Sequence, residues 1–472
     1  MSTEREHFSN KVGFILAAAG SAVGLGNLVA FPVAASKGGG GAFLVLYVFF
    51  VVFICLPIML AEINLGRKAQ SDPQGAYPAI AGANSKWRFA GWLAVITPFM
   101  IGVFYMVLTV WILGYFVLTI TGNLDSLANP AYFSTFVNHS SIFFYLLIVA
   151  ALVHIILVGG VQKGIERASR LLMPALFIML VGLTIFVLTM DNAFTGARFF
   201  LIPDFSKVNG DVISGALSQA FFSLSLGMGI LITFGSYLRR SDDLVNSTKW
   251  VAVTDSCVAF VAGLMILPAI FVFDPEINPD TLSESSVTLV FTFLPQIFLA
   301  LQETIGYFAA SVVAAVFFLL VFLAALTSLV SIIEVPTATI VRKYNVNRRR
   351  ALSYLAMTMG VLTLIAIASF GMLAMFTEMV SYGGSTRSFF DVIYDLFYDT
   401  ILPLNGLLIC LFVVWRWKRG PFHEALAQGN DSYAQSWLKR YISFSLTTFI
   451  PVILAIVFIN TVASIYFGSA FF

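Results

Sequence analysis

An all-α integral membrane protein of about eleven transmembrane helices is the fold class this sequence predicts, and three observations predict it. The 472-residue chain is 59% hydrophobic and only 11% charged, a balance that suits a bilayer-embedded chain and not a soluble one. Apolar runs of about twenty residues recur eleven times along it. The first and sixth of these runs each carry a Gly-x-Gly at mid-depth, Gly24-Leu25-Gly26 and Gly227-Met228-Gly229, where a spanning helix should be unbroken.

The runs cover 12–36, 42–66, 90–121, 141–160, 167–190, 212–238, 248–273, 305–340, 350–371, 388–416 and 440–468. A segment from Asp274 to Glu303 bears Pro275 and Pro279 and an apolar stretch too short to span, so it reads as a re-entrant or capping loop. Orientation follows from the cations. With the N-terminus cytoplasmic, all but four of the 26 Lys and Arg fall inside, leaving Lys37, Arg198, Lys207 and Arg387 outside. That asymmetry predicts eleven spans with the N-terminus in and the C-terminus out, in the cell's inner (plasma) membrane.

Other classes find little support. A net charge of +2 suggests no nucleic acid or other polyelectrolyte partner. Cys55, Cys257 and Cys410 lie in apolar spans and form neither a metal spacing nor a disulfide framework. The polar start, with Glu4, Arg5 and Glu6, predicts no cleavable signal peptide. No phosphate-binding loop, metal cluster or catalytic triad is visible, which speaks against an enzyme. No ring of pore-lining charge or repeated filter sequence suggests a channel.

The first run reads Gly20-Ser21-Ala22-Val23-Gly24-Leu25-Gly26-Asn27-Leu28-Val29-Ala30-Phe31-Pro32. Unwound backbone in hydrocarbon costs several kcal/mol per unpaired group unless protein, water or ligand satisfies it. Glycines can also serve close helix packing. Two interruptions in corresponding places of two five-helix repeats, however, point to the central site of a secondary transporter. Because five is odd the repeats are inverted: 12–190 forms the first, 212–416 the second, and 440–468 is an added helix, all within one transporter domain.

Few polar groups share that depth. Asp255 would cost roughly 2.5–3.5 kcal/mol if uncompensated, and its own span offers no Lys or Arg nearby. It calls for a bound cation or a proton. Thr327-Ser328 could supply hydroxyl ligands to a hard cation or bond back to their own helix. Tyr105 offers a hydroxyl well inside the third span.

These residues resemble the neurotransmitter:sodium symporters, in particular bacterial members similar to the bacterial leucine transporter. The first-run signature followed by Gly39-Gly-Gly-Ala-Phe43, Glu62 with Gly66-Arg67, Gly164 nine residues before Pro174, Asp255 with Gly263, and Ala324-Ala-Leu-Thr327-Ser328 carry the resemblance. It implies that fold, with broken helices one and six. It also implies one sodium site from Ala22, Asn27, Ser223 and Asp255, and a second from Gly20, Val23, Ala324, Thr327 and Ser328. The substrate carboxylate would meet the amides around Leu25 and Gly26 and the Tyr105 hydroxyl, where a half-helix N-terminus offers free N–H groups. The amine would meet Ala22, Phe222, Ser223 and Ser225. Ser21, Ile101, Phe222, Met228, Ser328 and Ile332 would line the side-chain pocket.

Gly24 stands where monoamine-transporting relatives have Asp, which implies a substrate with its own carboxylate. Asp255 stands where other members have Asn, which implies chloride independence. The expectation is therefore Na⁺-coupled symport of a neutral, hydrophobic or aromatic amino acid by alternating access, using one or two Na⁺, as a monomer or weak homodimer. Proton coupling through Asp255 and a non-transporting sensor are the alternatives.

The chain departs from the resemblance at its gates. Ala30 replaces the outer gating Arg, and its acidic partner reads as Tyr394 with Asp395 next door. Arg5 is present, yet its partner position reads as Arg342, and Phe8 replaces a Trp. Gly38 replaces an Asn, and Lys37 is a nearby cation. The outer lid is expected to rest on Phe222, Tyr105 and Gln219.

Overall fold

The computed structural model describes residues 6–273, 287 and 289–469. Among the described residues nine helices are long and apolar enough to span, and one further pair, Lys11–Ala22 and Gly26–Lys37, does so across a 53° bend. The bent pair is span 1. Spans 2 to 5 are Gly41–Ala69, Arg88–Ile120, Ser141–Val158 and Val161–Leu188. Span 6 is also two pieces, Gly210–Ser223 and Ile230–Gly235, each too short to cross alone. Spans 7 to 11 are Leu244–Phe273, Tyr307–Tyr344, Arg348–Ala368, Phe389–Trp417 and Trp437–Phe467. Eleven spans and both interruptions therefore stand where the apolar runs placed them.

Local signals explain the starts. Asn10, Asn209 and Asn347 each accept a backbone N–H two or three residues into the helix that follows, opening spans 1, 6 and 9. Ser388 and Asp391 form a reciprocal capping box at the start of span 10, which satisfies two otherwise free donors. A two-stranded hairpin, Val380–Tyr382 with Ser385–Arg387, precedes it.

Burial sorts the spans into a centre and a periphery. The most apolar stretch of span 3 is 72% buried, against 28% for spans 4 and 11. The peripheral helices turn Phe144, Leu147, Ile155, Leu171 and Ile178 outward, as hydrocarbon contact requires. Of the segment expected to cap or re-enter, residues 274–286 and 288 lie outside the described residues. Its remainder, Leu289–Phe293 and Leu294–Ala300, folds back over spans 3 and 8. There the Phe291 carbonyl accepts the Tyr115 hydroxyl at 2.9 Å, and Phe298 packs on Phe317.

Spans 2 and 6 touch backbone to backbone. A Cβ at Gly66 would fall 1.8 Å from the Ile232 carbonyl oxygen, and one at Gly235 would fall 2.3 Å from that of Ile63. In a membrane, where hydrophobic burial does not drive helix association, such close approach is a main source of packing energy. Just beyond, the buried Arg67 donates to the Asp242, Ala425 and Gln428 carbonyls at 2.7, 2.6 and 3.2 Å, locking the C-terminal end of span 2 to the segments around Asp242 and Gln428.

Gly66→Val should lower the melting temperature of purified protein, because neither carbonyl can retreat; overpacking of this kind costs about 1–3 kcal/mol or more. Gly182→Ala in span 5, where nothing lies within 4 Å of the added carbon, should leave it unchanged or raise it slightly.

Candidate functional site: an ion and amino-acid site between two broken helices

The break in span 1 is a problem of backbone bookkeeping with a visible solution. The helix ends at Ala22, and Val23 is extended, its N–H still bonded to the Ala19 carbonyl at 2.7 Å. Beyond it, the Gly24 N–H reaches Asn27 Oδ1 at 3.3 Å and the Leu25 N–H reaches the Tyr105 hydroxyl at 3.1 Å. The Ser328 hydroxyl donates to the Ser21 and Val23 carbonyls at 3.0 and 3.3 Å. The Gly26 carbonyl accepts Gln219 Nε2 at 2.8 Å. Spans 3, 6 and 8 thus supply what span 1 lacks.

Span 6 breaks over residues 224–229. Gly227 and Gly229 take φ of +76° and +67°, a region open to glycine at no steric cost. The Gly227 N–H donates to Glu62 Oε1 at 2.8 Å, and its carbonyl accepts Asn405 Nδ2 at 2.8 Å. Asn405 is fixed in turn on the Thr97 hydroxyl at 3.0 Å. Ser225, also at positive φ, points its hydroxyl to the Ser21 carbonyl at 3.4 Å, joining the two breaks.

Beside them lies a fully buried acid. Asp255 Oδ1 accepts Asn27 Nδ2 at 2.8 Å, and Oδ2 accepts the Ser223 and Tyr47 hydroxyls at 2.7 and 3.3 Å. Among the described residues Asp255 forms no ion pair, and no three His, Cys, Asp or Glu side chains gather to hold a metal. One carboxylate among amide, hydroxyl and carbonyl oxygens is a donor set for a hard monovalent cation, not for a transition metal.

Most expected site residues do converge. Asn27, Ser223 and Asp255 are mutually bonded, and Ala22 ends the half-helix beside them. Ser328 bridges to Val23, while the Thr327 hydroxyl bonds its own helix at Leu323 and Ala324. Gly20 is tightly packed against Met173 and Ser169 of span 5. Ile101, Met228 and Ile332 are buried. Tyr47, Glu62, Asn405 and Thr97 were missed as functional groups. Glu62, Asn405 and Thr97 carry a signal, each a polar side chain within an apolar run, whereas Tyr47 reads there as a packing aromatic.

The lid needs correction. Of the residues expected there, the Phe222 ring meets Tyr398 with centroids 4.4 Å apart, and Tyr398 stacks on Tyr394 at 4.5 Å. Phe104 closes the group, 5.4 Å from Tyr394. Tyr105 and Gln219 instead hold the span 1 backbone, because its free polar groups claim them. A cavity of about 360 Å³ lies against this lid, lined by Leu25, Tyr105, Phe222, Phe291 and Phe390 among others. Asp395 has its own partners, the Tyr382 hydroxyl at 2.7 Å and Arg387 at 3.4 Å, so it does not stand in for a partner to Ala30. Arg342 pairs with Asp72 and Gln74. Arg5 lies outside the described residues. Near the C-terminal end of span 8, Glu334 accepts the Tyr237 hydroxyl at 2.6 Å and pairs with Arg348.

The family model described as the sodium:neurotransmitter symporter family matches residues 5–134 and 129–470. The chain belongs to this family. The uncharacterized sodium-dependent transporter YhdH of Bacillus subtilis is 33% identical over 98% of both chains. An uncharacterized sodium-dependent transporter of Methanocaldococcus jannaschii, MJ1319, is 30% identical over 97% of this chain and 90% of its own. Among solved structures, that of MhsT in complex with L-phenylalanine superposes with a TM-score of 0.80 at 35% identity, covering 96% of this chain and 99% of the other. The protein is thus a sodium-dependent membrane transporter, with the leucine-transporter-like fold, and its relatives are transporters, not enzymes.

Glu62→Ala should cost about 1–3 kcal/mol of stability by stranding the buried Gly227 N–H. Glu62→Gln keeps an acceptor there and should melt close to the unaltered protein; equal melting of the two variants would refute the contact's role.

Proposed function

We propose that this transporter carries a neutral α-amino acid with an apolar side chain, together with Na⁺, by alternating access around spans 1 and 6. The observation that carries the reading is the shared geometry of Asp255, Asn27 and Ser223 beside the Leu25 N–H, which meets only the neutral Tyr105 hydroxyl. A cation held by Asp255, Asn27, Ser223 and the Ala22 carbonyl would sit where the substrate carboxylate completes its shell. Coupling then needs no long path, because ion and substrate share a ligand. A second ion fits the carbonyls of Gly20, Val23 and Ala324 with the Thr327 and Ser328 hydroxyls.

The carboxylate itself would take over the Leu25 and Gly26 N–H groups and the Tyr105 hydroxyl. Gly24 supports a substrate that brings this group. A Cβ there would lie 2.5 Å from Ser328 Oγ and 2.6 Å from the Tyr105 hydroxyl, so an acid at that place would have to displace both hydroxyls from the span 1 backbone. The amine would meet the carbonyls of Ala22, Phe222 and Ser223 and the Ser225 hydroxyl. Ser21, Ile101, Phe222, Met228, Ser328 and Ile332 would form an adaptable apolar pocket, consistent with the phenylalanine named in the MhsT complex.

A single carboxylate among amide, hydroxyl and carbonyl oxygens is a donor set for Na⁺, which supports a cation as the coupled species, with the Asp255 charge balancing it. The same charge supports chloride independence, since Asp255 would provide the negative charge an anion otherwise brings. The cation asymmetry supports a cytoplasmic N-terminus, and the matching interruptions of spans 1 and 6 support two inverted repeats, 12–190 and 212–416.

A thermal-shift screen of amino acids with and without Na⁺ tests this reading. One apolar amino acid should stabilise the protein only with Na⁺, by about 2.7 kcal/mol at a hundredfold excess over its Kd; no Na⁺ effect with any candidate would contradict it. In liposomes, replacing chloride by gluconate should leave uptake unchanged, and collapse of uptake would overturn the assignment of Asp255.

A further inference from the structure

A groove of about 790 Å³ runs between spans 2, 7 and 11, and no residue of the ion or substrate sites lines it. Its walls are apolar: Val48 and Val52 of span 2, Val253 and Phe260 of span 7, Leu438 and Ile442 of span 11. Val48, Val52 and Val253 each expose nearly half of their surface, so the groove opens toward lipid. One flank is aromatic. Phe53 meets Tyr441, and Tyr441 meets Trp437, each with ring centroids 5.8 Å apart. The Tyr441 hydroxyl donates to the Phe53 carbonyl at 2.5 Å in the π-helical turn Val51–Cys55, which fixes span 11 against span 2.

One end of this groove is polar. Lys249 stands five residues beyond the start of span 7 at Leu244, about 7.5 Å along the helix axis, and Trp437 opens span 11. This end lies on the N-terminal side of the protein, since the Phe8 N–H donates to the Tyr237 carbonyl at 3.2 Å, just ahead of span 7. A cation and an indole thus stand where a bilayer carries its headgroups. Among the described residues lining the groove Lys249 alone is charged, and it forms no ion pair. The nearby Asp243 is turned to Asn430 Nδ2, at 3.0 and 3.1 Å. Ser432 and Ser436 donate within their own loop, to Asn430 Oδ1 and the Tyr433 carbonyl, both at 2.8 Å.

We propose that the groove binds one anionic glycerophospholipid of the leaflet facing the N-terminus, with its phosphate at Lys249 and an acyl chain along Val48, Val52 and Val253. Apolar walls alone select nothing, because lipid tails are as apolar as the side chains they meet. The charge selects. A basic group between spans at headgroup level attracts an anionic lipid, and the concave walls hold that lipid in place. The aromatic flank suits the border between tail and headgroup, where Trp and Tyr rings lie. A second copy of the chain seated there would bury Lys249 with no acid in the groove to pair it, a cost that a phosphate removes.

Native mass spectrometry of the detergent-purified protein tests this, with phosphatidylglycerol and phosphatidylcholine of identical acyl chains added at equal concentration. As its first bound lipid the unaltered chain should retain phosphatidylglycerol about fivefold over phosphatidylcholine, the preference one lysine at a headgroup gives. Lys249→Gln should bring that ratio to about one. Arg349→Gln removes an exposed cation at the start of span 9, on the same side, and should leave the ratio unchanged. Val253→Trp fills the groove and should lower retention of both lipids. Equal retention of the two lipids by the unaltered chain, a preference that survives in Lys249→Gln, or one lost equally in Arg349→Gln would overturn the proposal. So would retention that Val253→Trp does not move. A groove occupied by a second copy would appear as dimers that Val253→Trp disperses, and would refute it too.

Discussion

Backbone that leaves the helix inside hydrocarbon has to find partners, and in this chain two such stretches, 23–26 and 224–229, draw polar side chains from five spans. Tyr105 comes from span 3 to the Leu25 N–H, Ser328 from span 8 to the Val23 carbonyl, and Gln219 from span 6 to the Gly26 carbonyl. Glu62 and Asn405 do the same for Gly227 from spans 2 and 10. The cost of leaving these groups bare, several kcal/mol each, explains why five spans are organised around two loops of a few residues.

That arrangement leaves the breaks satisfied by side chains that a ligand can rearrange. The hydrogen bond from Leu25 to a tyrosine hydroxyl is a neutral contact, which a carboxylate would strengthen. Asp255 gathers three donors in a low dielectric, where a cation beside a carboxylate is worth far more than at the surface. Site and scaffold are thus built from the same atoms, which is why binding can alter the balance between conformations.

The sequence showed clearly what is local and what is periodic. Apolar runs gave the spans, Gly-x-Gly gave the breaks, and an acid without a cation in its own span marked Asp255. The family resemblance then placed Asn27, Ser223, Thr327 and Ser328. What escaped depends on pairings across long separations. Tyr47 meets residues 176 and 208 positions away, and nothing in its own apolar run distinguishes it from a packing aromatic. The lid was misplaced for the same reason: Phe104, Phe222, Tyr394 and Tyr398 come from three spans whose aromatic residues follow no common spacing. Tyr105 and Gln219 were assigned to it because backbone demand at residues 25 and 26 cannot be read without knowing which neighbours approach.

The central claim is that the two broken segments are a single ligand-completed unit. Hydrogen exchange measured by mass spectrometry tests it most directly, comparing peptides covering 20–32 and 221–230 with peptides from spans 4 and 9. Addition of Na⁺ with a bound amino acid should slow exchange in both broken segments together and leave spans 4 and 9 unchanged. Slowing in one segment without the other, or no change in either, would contradict it.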